Sequence, residues 1–597
     1  MRAALAAILT VGAAAILVFV AGGHGSGSSP QAGSSIIREA APGPDRGRNR
    51  AQLRALMDKE GLRGTVETYT SKMDGRKRPY ALCATDKSGE PKPLLVVVNP
   101  GAATNPLSEA EFVFTAEEFA LHAKRSGRSC IVIRPTGRGP GSLYQNYGEV
   151  DALEAIEDAA SRYPVDRDRI SVIGHSMGGA ATWYLLSHYP DLFSAGAPMA
   201  GYCDYRLWEK PGGHSFPMQP WEEASWQARS AAFLAENLKQ SPLWILHGEW
   251  DRGVGSGVSV LHSRRMKRLL MDLGCEVKYT EVSKAGHHFS TPELMQEVVG
   301  WLLSRKKERN PREIGFGTFW LRHNRSHWLA IEQLNSYGEK GRIRASIQAD
   351  DSVRISTQNV RAFSIGPVSD GGSRRVQVDG RAIGEFDLGR PHTLRAAGGG
   401  WKAGPPALPG EKTHGASGPL SDLFFGDVVL VQGTIGTEAE TYFNGMALHN
   451  TRALFRETNG GLHRGGIRGE NTVDLAYARD VDLTDEEVGR HNLLLFGTDK
   501  TNRVIAMFRQ QLPVRFEPVG VRLHGRLFRG ANAAVFAIFP HPGNPARYVA
   551  VHGGVSEDAV TYGSHLNLLL LPDYIVYDGG QALAWGFWDN AWKFPAR

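Results

Sequence analysis

Cysteine is scarce in this sequence, and the metal-binding patterns that are built on it are missing. The 597 residues contain no Cys-x-x-Cys pair and no histidine cluster at zinc spacing, and their four cysteines are Cys83, Cys130, Cys203 and Cys275. This excludes the common zinc-binding folds and predicts no metal site. An even number of cysteines permits disulfides in an exported protein, and four cysteines allow three pairings, all of which stay open.

An excess of one charge sign is also lacking. The formal net charge is +6, and the Lys and Arg residues are scattered apart from a short run at residues 305–307. That run has no aromatic residues between its cations, so we interpret it as a solvated linker and expect no nucleic-acid partner. The glycines of residues 137–141 do not have the spacing of a dinucleotide loop, and no cofactor is predicted.

Long hydrophobic runs are limited to one, at residues 3–20. It is longer than the core of about 7–15 residues in a signal peptide and close to the roughly 18 residues that span a bilayer. Residues 1–23 are therefore predicted to be either a signal peptide or a membrane anchor, with a tether through residues 3–22. Both alternatives predict an extracytoplasmic protein that is secreted, periplasmic or membrane-anchored. Residues 24–60 are rich in Gly, Ser, Pro and Arg and are predicted to be a disordered linker.

A chain of this length is too long for a single core and predicts two or three domains. Residues 61–305 alternate short apolar runs with helical periodicity, which is typical of an α/β fold with a mostly parallel sheet and helices on both faces. Residues 312–385 alternate apolar and polar side chains and predict a small β domain. Residues 386–597 alternate strands and helices again and predict a second α/β domain of unknown role.

The most informative motif is Gly174-His175-Ser176-Met177-Gly178, which lies between an apolar strand and a helix. Gly-x-Ser-x-Gly in this context is typical of a tight strand-to-helix turn that exposes a nucleophilic serine hydroxyl. Ser176 is therefore the predicted nucleophile. The backbone N–H of Met177, which opens the helix, is a predicted oxyanion donor.

Two further strand ends carry an acid and a histidine in the order that this arrangement expects. Asp251 follows the strand at residues 243–246, and His287 follows the strand at residues 277–280. We interpret His287 as the general base and Asp251 as the carboxylate that orients it, although Glu249 and His288 are alternatives. His175 and His247 are interpreted as structural residues.

Two other groups complete the predicted site. Gly101 or Ala102, just past the strand at residues 94–98, is expected to supply the second oxyanion N–H. The segment at residues 201–227 is rich in aromatic residues, and its side chains predict either a substrate wall or local packing of a long insertion. The predicted substrate-binding residues are Trp208, Phe216, Trp221 and Trp226.

These motifs, together with Arg134-Pro135-Thr136-Gly137 and Tyr189-Pro190-Asp191, resemble the catalytic domain of the prolyl oligopeptidase-like (S9-type) hydrolases. They are also similar to the polyhydroxybutyrate-depolymerase-like and feruloyl-type esterases. The resemblance implies an α/β-hydrolase without a cofactor, whose Ser-His-Asp triad falls at residues 176, 287 and 251. The sequence departs from the true oligopeptidases in lacking the N-terminal β-propeller that restricts access to their site, and we therefore expect ester cleavage over peptide cleavage.

The sequence therefore predicts an exported serine hydrolase that forms an acyl-enzyme on Ser176. Its expected substrate is a small-molecule ester, a polysaccharide-linked ester or a peptide. Three alternatives stay open: an S9-like serine peptidase, an acyl transferase, and a cell-surface binding protein in which the hydrolase fold is inactive.

Overall fold

The structure, a computed structural model, describes eight stretches of the chain. They are residues 35–39, 46–86, 88–98, 109–138, 142–207, 218–252, 257–458 and 474–596. The predicted signal peptide or anchor at residues 1–23 lies outside them. Among the residues described, no helix is both long enough and apolar enough to cross a lipid bilayer.

The first region is built on a nine-stranded sheet. Its strands are β1 (Ser35–Glu39), β2 (Thr65–Thr70), β3 (Lys77–Ala84), β4 (Lys92–Val97), β5 (Ile131–Pro135), β6 (Val165–His175), β7 (Ala195–Met199), β8 (Leu243–Gly248) and β9 (Val277–Ser283). They are arranged in the order β1-β9-β8-β7-β6-β4-β5-β3-β2, and only β2 and β3 pair in antiparallel fashion with their neighbours. All residues of β4 and β5 are buried, because a central parallel strand is covered on both faces.

Helices cover both faces of this sheet. They are α1 (Arg46–Lys59), α2 (Glu109–Arg125), α3 (Tyr147–Arg162), α4 (Met177–His188), α5 (Glu223–Arg229), α6 (Leu261–Asp272) and α7 (Pro292–Leu303). One apolar cluster lies beneath α3, α4 and α6, and another lies beneath α2 and α7. The predicted α/β-hydrolase sheet with helices on both faces is confirmed.

Two elements lie where the sequence predicts a disordered linker at residues 24–60. Strand β1 pairs in parallel with β9, and α1 packs on α2. Met57 of α1 is fully buried, and Arg54 forms a 2.7 Å ion pair with Glu117 of α2. The sequence does not indicate α1, because residues 24–50 are rich in Gly, Ser, Pro and Arg. Only a few residues at the end of the helix make apolar contacts.

The second region consists of two five-stranded sheets. Its strands are β10 (Glu313–Thr318), β11 (Arg325–Ser326), β12 (Leu329–Leu334), β13 (Gly341–Ile347), β14 (Val353–Gln358), β15 (Val360–Ile365), β16 (Ser373–Val378), β17 (Arg381–Asp387), β18 (His392–Ala397) and β19 (Gly400–Ala403). The sheets have the orders β10-β13-β14-β16-β17 and β11-β12-β15-β18-β19, and one apolar cluster joins them. Alternate side chains of β13 point into that cluster and into solvent.

This second region extends past the predicted boundary at residue 385. Strand β18 pairs with β15, and β19 pairs with β18, so the sheet continues to Ala403. The alternation of apolar and polar residues that marks a strand is weak in this part of the sequence. Glycines occupy residues 398–400, and β17 is charged or polar on both faces.

The third region is a mixed sheet flanked by helices and a small hairpin sheet. Its elements are β20 (Val428–Gln432), α8 (Glu438–Thr458), β21 (Ala476–Arg479), α9 (Asp485–Arg490), β22 (Asn492–Phe496), α10 (Arg503–Met507), β23 (Val514–Glu517), β24 (Gly520–Leu523), β25 (Arg526–Arg529), β26 (Ala533–His541), β27 (Asn544–Gly554), β28 (Tyr574–Asp578) and β29 (Gln581–Gly586). The main sheet has the order β21-β20-β22-β27-β26-β28-β29, with parallel pairing from β21 to β27. The predicted small β domain and second α/β domain are both present as fold classes.

Buried polar contacts join the three regions. His323, between β10 and β11, forms a 2.9 Å hydrogen bond with Glu149 of α3. The neighbouring Arg322 forms a 2.5 Å ion pair with Asp422, which precedes β20. Glu149, His323 and Asp422 are buried and the Arg322 side chain is only 11% exposed, so these polar groups depend on their partners from another region. The Arg-His-Asn sequence at residues 322–324 thus joins the regions.

All four cysteines lie in described parts of the chain, and none of them forms a disulfide. Burial raises the pKa of Cys83 to about 12 and that of Cys275 to about 11, which keeps both thiols protonated and unreactive. We expect a thiol reagent to titrate four thiols per chain in denaturant without reductant. A count of two thiols under the same conditions would contradict this, because it would require a disulfide.

Candidate active site

Ser176 lies in the turn between β6 and α4, in a backbone conformation that is strained for a serine. Its φ and ψ are 58° and −115°, and only a tight turn imposes a positive φ on such a residue. The turn needs glycine on both sides. A Cβ at Gly174 would lie 2.3 Å from the carbonyl oxygen of Val98, and one at Gly179 would lie 2.3 Å from that of Met199. The motif therefore folds as its sequence predicts.

His287 and Asp251 meet Ser176 at the carboxyl end of the sheet. The Oγ of Ser176 lies 2.8 Å from Nε2 of His287, and Nδ1 of His287 lies 2.5 Å from Oδ2 of Asp251. A carboxylate only accepts, so Nδ1 of the neutral ring carries the proton and Nε2 is free to accept from the serine hydroxyl. The three side chains form one hydrogen-bonded row, although residues 176 and 287 are 111 positions apart.

The two alternative residues lie elsewhere. The carboxylate of Glu249 is hydrogen-bonded to the hydroxyl of Ser283 and the backbone N–H of Lys284, at 2.9 and 2.8 Å. The His288 side chain is exposed, and its ring centroid is 5.3 Å from that of His287. The structure thus brings Asp251 and His287 to the serine, and it places Glu249 and His288 outside the row.

Two neighbouring groups hold Asp251 in place. Its Oδ1 accepts from the backbone N–H of Val258 at 2.9 Å, and its Oδ2 lies 3.2 Å from Nε2 of His247. Nε2 of His247 also lies 2.8 Å from the carbonyl oxygen of Val258 and must therefore carry the proton. Burial alone would raise the pKa of Asp251, but the hydrogen bonds from His247 and His287 hold this pKa well below its usual range. Asp251 is therefore a carboxylate at neutral pH.

His175, the residue before the nucleophile in the chain, contacts His287. Its Nε2 lies 2.8 Å from the backbone carbonyl oxygen of His287 and so donates a hydrogen bond to it. Desolvation, together with the nearby His287, lowers the pKa of His175 to about 3, so the ring is neutral. The sequence identifies His175 and His247 only as structural residues. The sequence contains no signal for their contacts. His175 contacts a residue that is distant in the chain, and the contact of His247 with Asp251 depends on the conformation of a loop.

The predicted oxyanion groups are only partly described. Met177 is the first residue of α4, so its backbone N–H has no acceptor within the helix and lies beside the serine. Gly101 and Ala102 lie outside the described residues. One of the predicted oxyanion donors is therefore at the expected place in the fold.

The predicted aromatic wall is divided between different environments. Trp208 and Phe216 lie outside the described residues. Trp226 is 6% exposed, and its ring centroid is 6.2 Å from that of Tyr205. Trp221 makes an edge contact, at 5.8 Å, with Trp585 of the third region. These contacts favour the packing interpretation for both described tryptophans.

Tyr202, in the same aromatic segment, lies close enough to the triad to interact with the charge of Asp251. Burial raises its pKa, and the charge of Asp251 adds to the increase. The ring of Tyr202 stacks on Tyr205 and makes an edge contact with His262. One sequence signal could have identified Tyr202. It lies just past β7, the strand that follows the nucleophile helix.

Part of the chain is similar to known proteins. Residues 142–304 match the model of the prolyl oligopeptidase family. An uncharacterized secreted protein of Arthroderma benhamiae is 36% identical over 132 residues, which are 21% of this chain and 13% of that protein. A probable glutamyl endopeptidase, chloroplastic, of Arabidopsis thaliana is 27% identical over 195 residues, which are 32% of this chain and 19% of that protein.

This chain thus covers less than a fifth of the length of either relative. Among solved structures, the Pyrococcus horikoshii acylaminoacyl peptidase is similar with a TM-score of 0.35 and 20% identity, over 43% of this chain and 44% of that one.

Proposed function

We propose that the chain is an exported serine hydrolase whose nucleophile is Ser176. The match of residues 142–304 to the prolyl oligopeptidase family supports this proposal. The observation that carries the proposal is the hydrogen-bonded row of Ser176, His287 and Asp251 beside the first N–H of α4. Export is inferred from the apolar run at residues 3–20. If export depends on this run, the chain with residues 1–23 should appear outside the cytoplasm, and a chain that begins at residue 24 should stay in the cytoplasm.

The proposed reaction has two steps. In the first, Oγ of Ser176 attacks the carbonyl carbon while Nε2 of His287 takes the hydroxyl proton, and His287 then returns this proton to the departing alcohol or amine. In the second, water attacks the acyl-enzyme and gives its proton to His287, and the acid leaves as Ser176 is protonated again. Asp251 holds the imidazole in the Nδ1–H tautomer and stabilises the imidazolium that forms in each step.

The developing oxyanion is assigned to backbone donors. The N–H of Met177 is the first, and a second from Gly101 or Ala102 completes the pair in this proposal. Such a pair stabilises the tetrahedral intermediates of both steps. Tyr202 and the neighbouring apolar side chains are proposed to form the wall beside the acyl group.

Carboxylic esters are the proposed substrate class, and peptides are the second candidate. Peptide cleavage is favoured by the family match and by the relative whose printed name is an endopeptidase. The test is a panel of p-nitrophenyl esters and of peptide amides, with kcat/KM measured for each. Turnover of esters with little or no turnover of peptide amides supports the proposal, and turnover of peptide amides alone would replace esters by peptides.

The acid partner of the triad is tested by two matched substitutions. We expect Asp251→Asn to lower kcat by about 10⁴, because an amide donates to Nδ1 and stabilises the wrong histidine tautomer. Glu249→Gln removes a charge from the same loop, and we expect a change below about threefold because Glu249 binds Ser283 and Lys284 instead. Steady-state kinetics with one ester measures both. A larger loss for Glu249→Gln would contradict the assignment.

A further inference from the structure

A groove lies between the first and second regions. Its volume is about 530 Å³, within the range of small-molecule sites. One wall is formed by the turn at residues 236–239 and the end of α6, and the other by the outer faces of β10, β13 and β14. Elements of two regions thus enclose a space large enough for several sugar units.

The two walls are fixed to each other at both ends of the groove. At one end, Asn237 donates to the carbonyl oxygen of Gly317 and accepts from its N–H, at 2.9 and 2.7 Å. At the other end, Lys239 forms a 2.7 Å ion pair with Glu313. Between them, a Cβ on Gly315 would meet only Glu236, at 3.8 Å, so the floor is open there. The groove is therefore a built feature of the fold.

Two arginines on the second region face this space. Arg344 lies opposite Gly315 on one side and Ser356 on the other, and Arg354 lies opposite Ser346. The two arginines are thus diagonal neighbours on one face of β13 and β14, with Cα atoms about 7–8 Å apart. Both are exposed, and neither forms an ion pair with any residue that the structure describes.

Other cations near the groove form ion pairs with described carboxylates, which distinguishes these two. Lys340 and Arg342 both contact Oε1 of Glu236, at 2.7 and 3.3 Å. Arg375 on the same sheet pairs with Asp350 at 2.8 Å. Among the cations that line the groove, Lys239 pairs with Glu313, so Arg344 and Arg354 are the two without an ion pair to a described residue. Guanidinium groups bind carboxylates through paired hydrogen bonds, so an anionic ligand suits them.

The remaining lining favours a sugar over a peptide. Ser346 and Ser356 supply hydroxyls, and Asp272 on the opposite wall supplies an acceptor for ligand hydroxyls. The isoleucines of β10 and β14 point into the core of the second region, and Leu273 on the opposite wall is the remaining large apolar side chain of the lining, so the groove offers few apolar contacts to a peptide side chain. A peptide strand cannot add to β10 either, because Asn237 and Gln240 already bond to its edge.

The groove is remote from the triad. Helix α6 begins ten residues after Asp251 and runs for 12 residues, or about 18 Å, to Asp272 at the groove. Asp272 precedes β9, so the groove lies toward the amino ends of these strands, whereas the triad lies at their carboxyl ends. A ligand there does not compete with a substrate at Ser176.

We propose that this groove binds an acidic oligosaccharide, whose carboxylates pair with Arg344 and Arg354 and whose hydroxyls bind the serines and Asp272. Such a site would hold the protein on an acidic polysaccharide while the triad acts elsewhere. The proposal does not depend on the hydrolase activity.

The test measures binding of an oligogalacturonate to the full chain by isothermal titration calorimetry. We expect Arg344→Ser with Arg354→Ser to weaken binding at least tenfold, since charge-assisted hydrogen bonds are lost. Gly315→Leu should weaken it similarly by filling the floor without changing any charge. The control is Arg375→Gln with Arg381→Gln, which removes two charges from the same sheet outside the groove and should change affinity less than twofold.

Three outcomes would overturn the proposal: unchanged binding in both groove variants, an equal loss in the control, or tighter binding of an oligoglutamate peptide than of the uronate. The groove variants should hydrolyse a p-nitrophenyl ester at the wild-type rate, and Ser176→Ala should bind the uronate as the wild type does. Failure of the groove and failure of the proposed function are therefore distinguishable.

Discussion

Replacing Ser176 with alanine is expected to lower kcat for a p-nitrophenyl ester by about 10⁶. The substitution removes the only group that forms the acyl-enzyme in the proposed mechanism, and loss of a triad nucleophile has effects of this size. The strained turn should persist, because alanine fits wherever serine does and Gly174 and Gly179 are unchanged. The expected loss is therefore one of chemistry, with the fold retained.

Two measurements check this result. Steady-state kinetics gives kcat, and a fluorophosphonate probe reports covalent capture of the nucleophile, which should occur in the wild type and be absent from Ser176→Ala. Ser290→Ala, at an exposed serine three residues past His287, is the matched control and should be labelled normally. If the wild type is not labelled either, the alternative of an inactive binding protein gains support.

Replacing His287 with alanine is expected to lower kcat by a similar factor, about 10⁶. Without the imidazole, no side chain of the described residues is within hydrogen-bond distance of Oγ of Ser176 to take its proton, and the neutral hydroxyl is a weak nucleophile. The partner Asp251 stays in place through Val258 and His247. Loss of the base and loss of the nucleophile should therefore be equally severe and not additive.

His288→Ala provides the matched control, because the two histidines are neighbours in the chain and only one joins the row. We expect less than a tenfold change for this variant, whose side chain is exposed. The pH dependence of kcat/KM should keep its acidic limb in His288→Ala and lose it in His287→Ala. If His288→Ala showed the larger loss, the base would have been assigned to the wrong histidine.

Much of the fold could be predicted because its signals are local. Buried strands such as β4 and β5 are continuous apolar runs, and the helices between the strands have helical periodicity, so the α/β-hydrolase sheet follows from residues 61–305. The missed elements lack such signals. Helix α1 has few apolar residues, and β18 and β19 lie in a glycine-rich segment, so partners elsewhere in the chain stabilise them.

The residues of the proposed site also fall into two groups, those that local sequence signals indicate and those that only the tertiary structure identifies. The glycines around Ser176 specify its turn, and the chain order of serine, acid and histidine identifies three strand ends. The sequence favoured Asp251 but left Glu249 open as an alternative, since both follow the same strand within three residues. The selection depends on a loop that places one carboxylate against His287 and the other against Lys284.

The contacts of His175 and His247 also had no counterpart in the sequence. Each ring is near its strand end in a position that is compatible with simple packing. Only the folded chain places His175 against the carbonyl of His287, 112 residues away, and His247 against Asp251. For the tryptophans, composition leaves a substrate wall and local packing both open, and the contact of Trp221 with Trp585 favours packing.

The sequence by itself determined the class of sheet, the nucleophile turn and the short list of residues for the site, because strand periodicity and turn geometry depend on neighbours in the chain. Only the tertiary structure decided which acid and which histidine meet the serine, how the three regions join, and that two arginines without an ion pair to any described residue face a groove. These depend on distances between residues tens to hundreds of positions apart, which are set by strand order and loop conformation.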